Sequence, residues 1–134
     1  GLRDIRGLAE PIRYVLEYAK APYVERLYYC SPGPNYDMSD WFNEKFNPKL
    51  GLDIPNLPYL LDGSVRITQS GAIIRHLARK YNLYGSPEDA AVVDMLQEEL
   101  LDQRNRVAFT WCMPSQVTFV DFLLYALLDV ANIM

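Results

Sequence analysis

Ile54-Pro55-Asn56-Leu57-Pro58-Tyr59-Leu60-Leu61-Asp62-Gly63-Ser64-Val65-Arg66-Ile67-Thr68-Gln69-Ser70 is the stretch on which the fold turns. It reads as loop, strand, tight turn, strand and helix start. Tyr59 to Leu61 is a short apolar run. Asp62-Gly63-Ser64 is a hairpin signal, because glycine supplies the positive φ that such turns need. Val65 to Ile67 is the return strand. Ser70 opens a helix in which Ile73, Ile74, Leu77, Ala78 and Tyr81 keep helical spacing. Two features suit a small peptide-like ligand. Pro58 removes a donor and is able to hold a cis bond, which would turn the Asn56-Leu57 backbone edge outward. The helix start at Gln69-Ser70 offers free N–H groups, which suit a carboxylate. By pattern alone, an ordinary hairpin followed by a helix accounts for the stretch equally well.

Upstream, Ile12, Val15, Leu16 and Ala19 recur at helical spacing, so a helix runs from about Glu10 with Pro11 in its first turn. Tyr23 to Tyr29 carries β-formers and reads as a strand. Ser31 to Asn35 is a loop by composition, Asp40 to Phe46 a short helix with an apolar-aromatic face, and Asn47-Pro48-Lys49 breaks it. Downstream, Ser86 fits an N-cap, Pro87 the first helical position and Asp89 the acid of a capping box. The long helix that follows places Val93, Leu96, Leu100 and Val107 on one stripe and should fade between Trp111 and Pro114. Thr118-Phe119-Val120-Asp121 is a second capping box, and Val117 with Phe122 a possible hydrophobic staple. A mixed α and β region followed by helices alone is α/β or α+β logic.

Composition narrows the function. Of 134 residues, 50% are hydrophobic and 22% charged, enough apolar material to bury a core and too much for a disordered chain. The net charge of −4 disfavours nucleic acid and anionic membrane as partners. The longest apolar stretch, Phe119 to Met134, contains Asp121 and Asp129 and does not read as a membrane span. No signal peptide is visible. Cys30 and Cys112 form no C-x-x-C pair, so a reducing, cytoplasmic setting with free thiols is the simplest reading, and thiol–disulfide exchange is disfavoured. No metal is expected.

Several segments in order resemble the mu class of cytosolic glutathione transferases: Asp4-Ile5-Arg6-Gly7-Leu8-Ala9, the loop from Ser31 to Asp37, Trp41 to Phe46, Leu52 to Leu60, Ile67 to Ser70 and Val117 to Phe122. The resemblance implies an α/β thioredoxin-like N-terminal domain over residues 1–82 and an incomplete all-α domain over 86–134. It implies glutathione as co-substrate, small hydrophobic electrophiles as second substrates, and a homodimer. Gln69 and Ser70 would hold the γ-glutamyl carboxylate. Leu57 would pair its backbone with the cysteinyl part, Pro58 being the cis-proline. Trp41 and Lys45 would meet the glycyl end, Lys45 by charge. Asn56 and Leu8 would line the same pocket, and Asp102 would reach the partner subunit's glutathione. Without the family, Trp41 reads as a core or interface aromatic, Lys45 and Asp102 as solvated charges, His76 as an exposed helix residue without chemistry, and both cysteines as inert.

Against the family pattern the chain departs in three places. The family's catalytic tyrosine donates to the glutathione sulfur and so stabilises the thiolate. Here Leu2 holds that position, followed by Arg3, whose charge could favour a nearby thiolate. Gly1 to Arg3 is too short to supply the family's first strand, which leaves Tyr23 to Tyr29 without a neighbour unless the native chain begins earlier. Between Pro114 and Gln116 the family's fifth helix has no counterpart. Later helices are also lacking, and Cys112 takes an electrophile-pocket position beside Leu8. Three readings follow. One is a glutathione transferase impaired by Leu2. The second is a non-catalytic glutathione-binding or structural, crystallin-like relative. The third is a truncated product without function.

Overall fold

The computed structural model describes the backbone of residues 7–112 and the side chains of residues 7–106. The chain divides into two compact units, Gly1–Gly85 and Ser86–Met134. The first holds α1 (Glu10–Tyr18), α2 (Ser39–Phe42), β1 (Tyr59–Asp62), β2 (Val65–Thr68) and α3 (Ser70–Lys80). The second holds α4 (Ala90–Cys112).

The hairpin forms as expected. β1 and β2 pair antiparallel, with Tyr59 opposite Thr68 and Asp62 opposite Val65. Gly63, at φ +60, takes the first central position of the two-residue turn, where a side chain is disfavoured. One face of the hairpin and the apolar stripes of α1 and α3 enclose the core: Ile12, Leu16, Ile73 and Leu77 are buried, with Leu60, Ile67 and Tyr81 packed against them. Ile73 and Leu77 are fully covered, and each such side chain contributes about 2–3 kcal/mol by burial.

Both long helices of this unit end the same way. Lys20, at φ +50, follows α1, with Ala21 N–H donating to Leu16 O and Lys20 N–H to Glu17 O, both at 3.0 Å. Asn82, at φ +57, follows α3, with Leu83 N–H donating to Ala78 O at 2.7 Å and Asn82 N–H to Arg79 O at 3.4 Å. These are paired C-terminal caps of the Schellman type, built without glycine. α4 opens on its predicted box: Asp89 N–H donates to Ser86 Oγ at 3.3 Å, and the Ser86 hydroxyl donates to Asp89 Oδ2 at 2.7 Å. On the predicted stripe of α4, Val93 is half-buried while Leu96 and Leu100 are exposed. The Thr118 box lies outside the described residues.

Three expectations are corrected. Tyr23 to Tyr29 is not a strand. Among the described residues no strand lies beside it, and β-propensity without a neighbouring strand gives no ladder. Side chains hold it instead. The Arg13 guanidinium bridges Glu10 and Glu25, the Tyr23 hydroxyl donates to Glu17, and Asp40 accepts the Tyr29 N–H at 2.9 Å. The helix predicted over Asp40 to Phe46 is regular only to Phe42 and continues as turns up to Asn47-Pro48. His76 is not a free surface residue: its Nε2 lies 3.0 Å from Asp62 Oδ2 across the hairpin.

Candidate functional site

Because Tyr59 faces Thr68, the residues one step beyond each, Pro58 and Gln69, flank the open end of the hairpin. The Leu57-Pro58 bond there is cis. The Thr68 hydroxyl donates to Ile54 O at 2.8 Å, tying the loop before β1 to the end of β2. Asn56 Oδ1 accepts the Leu57 N–H at 2.9 Å, so the donor on this backbone edge is met by a neighbouring side chain that can turn away. Gln69 stands between β2 and α3 at φ +71 and ψ 116. A non-glycine residue there carries strain on the order of 1–3 kcal/mol, a cost that recurs at ligand sites. No side chain caps α3, so among the described residues the first N–H groups from Ser70 onward have no side-chain acceptor, and the helix's positive end lies there.

α2 supplies the second wall. Trp41 is buried and stacks on Tyr59, ring centroids 6.1 Å apart, with Tyr28 edge-on at 5.0 Å. The Tyr28 hydroxyl donates to Glu44 Oε2 at 2.7 Å, which makes Tyr59 the donor in the 2.9 Å contact between the two phenols. Burial, then the bonds to Tyr59 and Glu44, raises the Tyr28 phenol well above its usual range. The cluster thus pins Trp41 behind Tyr59. Lys45 N–H donates to Trp41 O at 2.8 Å, placing Lys45 one turn on. Its half-buried side chain lies over the Phe46 ring at 5.5 Å and has no carboxylate partner among the described residues. Lys45, Phe46, Asn47, Gly51, Leu52 and Asp53 help line a hollow of about 320 Å³. Chemically, then, the first unit offers a helix start for one carboxylate, a backbone edge for a peptide unit, and a cation for a second carboxylate.

The structure gathers Asn56, Leu57, Pro58, Gln69 and Ser70 at the hairpin's open end, with Trp41 stacked on the first strand residue and Lys45 a turn away. Leu8 lies in the turn leading into α1, exposed. Asp102 is exposed on α4, in the other unit. Leu2 and Arg3 lie outside the described residues, as does the Cys112 side chain. Trp41 is only 4% exposed, so it serves chiefly as core. Among the described residues, no group of three or more His, Cys, Asp or Glu side chains is placed to hold a metal ion, and no helix is long and apolar enough to cross a membrane. Two groups were not legible in the sequence. One is the Asp62 carboxylate with Lys80 at 2.6 Å and His76 at 3.0 Å, in which Lys80 and then His76 hold the carboxyl below its usual range. The other is Arg66, which reaches the loop after α2. Both join residues 14 or more apart, beyond any local periodicity.

The arrangement of α1, hairpin and α3 around a cis-proline edge is that of the thioredoxin-like domain that opens glutathione-handling proteins, and residues 1–79 match the glutathione S-transferase N-terminal domain. Over 162 aligned residues the chain is 43% identical to glutathione S-transferase 2 of Gallus gallus and 42% identical to glutathione S-transferase Mu 4 of Rattus norvegicus, covering 96% of this chain and 73% of each relative. It also resembles the crystal structure of the glutathione S-transferase Blo t 8, with a TM-score of 0.66 and 37% identity over 81% of this chain and 47% of that one. The chain belongs to the glutathione S-transferase family, within its mu class. The aligned span of 162 exceeds the 134 residues available, so the relatives carry residues inside it that this chain lacks.

Proposed function

We propose that this chain binds glutathione at the open end of its hairpin and conjugates it only feebly. The observation that carries the reading is Gln69, a strained residue opposite Pro58 at the uncapped start of α3. In this reading Gln69 and the Ser70 N–H take the γ-glutamyl carboxylate. The Leu57 backbone pairs with the cysteinyl unit once Asn56 turns aside. The Lys45 ammonium takes the glycyl carboxylate, with Trp41 as the floor behind it and Leu8 on the rim. Asp102 reaches glutathione held by a second copy, in a homodimer. In the family reaction the thiol proton leaves to solvent, and the glutathione thiolate attacks an electrophilic carbon whose leaving group departs with the electron pair of the broken bond. Leu2 offers no donor to the sulfur, so the thiol keeps its proton more often near neutral pH.

Retention on immobilised glutathione, with elution by free glutathione, tests the binding. A chain that passes straight through the column would refute it. Leu2→Tyr tests the chemistry: it should raise conjugation of a general aromatic electrophile by at least about tenfold while leaving glutathione affinity within about twofold. A parent chain already as fast as that variant would contradict the role given to Leu2.

A further inference from the structure

Arg66, on β2 opposite Leu61, is an exposed cation with no carboxylate partner among the described residues. Such a side chain is ordinarily solvated. Here it is used instead on a loop. Its Nη1 donates to Leu50 O at 2.8 Å and more weakly to Lys49 O at 3.4 Å. The next residue, Gly51, turns the chain at φ +59, and a Cβ there would lie 2.9 Å from Arg66 Cδ and 3.3 Å from Nε. Gly51 suits its positive φ, and a side chain there would also have to displace the arginine stem lying across it. Beyond Gly51, Leu52 and Asp53 line the same hollow as Lys45, yet Lys45 and Asp53 form no ion pair.

We infer that Arg66 is a positioning residue for the glycyl end of glutathione: by clamping residues 49–51 it keeps the Asp53 wall away from Lys45, leaving the ammonium available to a ligand carboxylate. The inference rests on the glutathione reading above. Without the clamp the loop relaxes, Asp53 closes on Lys45, and the cation is neutralised from within. The selectivity lost is then for the glycyl carboxylate alone.

The experiment compares glutathione with γ-glutamylcysteine, which lacks the glycine, by calorimetric titration of the full chain. The parent should bind glutathione about tenfold more tightly than the dipeptide. Arg66→Ala should lose most of that tenfold while binding the dipeptide as the parent does, which also shows that the variant is folded. Arg66→Lys, with one donor able to reach the same carbonyls, should recover part of it. Asp53→Asn in the Arg66→Ala background should recover most of it. Equal weakening of both ligands by Arg66→Ala, or no weakening of either, overturns the role of Arg66. A parent that binds both ligands equally overturns the glycyl subsite at Lys45. A parent that binds neither overturns the glutathione site itself, and this inference with it.

Discussion

Gln69, between β2 and α3, holds a backbone conformation that is costly for a residue with a side chain. Its φ of +71 is a region that glycine enters freely and glutamine does not. Gln69→Gly should therefore raise the denaturation midpoint, by about 1 kcal/mol of stability once the extra freedom of the unfolded chain is subtracted, while weakening glutathione binding. Loss of stability in that variant would show that the angle is not strained. Asp62 makes a pH-dependent counterpart. Lys80 and His76 lower its carboxyl in the folded chain, so its contribution is present above the ordinary carboxylate range and is lost as pH falls through the lowered value. Asp62→Asn should be less stable than the parent at neutral pH, and the gap should close in acid. A gap that stays constant across an acid titration by denaturant unfolding would contradict this. The helix start at Gln69-Ser70 was readable in the sequence as a place for a carboxylate, whereas Lys45 alone reads as a solvated charge and was singled out by the family resemblance. The pairing of His76 with Asp62 was not, because only the hairpin brings β1 alongside α3.

Most elements that depend on local sequence came out as read, the helix over Asp40 to Phe46 being shorter than expected. α1 and α3 follow apolar spacing, the hairpin follows its Asp-Gly-Ser turn, and the Ser86 box opens α4. The element that failed, Tyr23 to Tyr29, is the one whose identity depends on a neighbour. Its aromatic and β-branched residues suit a sheet, yet a strand exists only when another strand accepts its hydrogen bonds. Arg13, Asp40 and the Tyr28 hydroxyl hold it in place instead. The caps of α1 and α3 also escaped the sequence reading, since glycine is the usual signal and Lys20 and Asn82 stand in its place. Lys20→Gly should stabilise the chain by about 0.5–1 kcal/mol in urea unfolding, since φ +50 then comes without a Cβ penalty. A lower midpoint would mean that the lysine side chain has a role the cap does not explain.

At the scale of the whole molecule, the first unit carries all the parts proposed to grip glutathione except Asp102. The second unit is described only through α4. The family was legible because its motifs lie in order along the chain, and identities of 42–43% to mu-class and related relatives agree with it. Conjugation was less legible, because it depends on a single hydroxyl near the sulfur, and Leu2 has none. In the proposed reading, binding and turnover separate in this chain. Calorimetric titration of glutathione into the full chain, run beside the Gln69→Ala variant, tests the central claim most directly. The account predicts saturable one-site binding in the parent, weakened about tenfold or more in the variant. Absence of saturable binding, or binding that Gln69→Ala leaves unchanged, would contradict it.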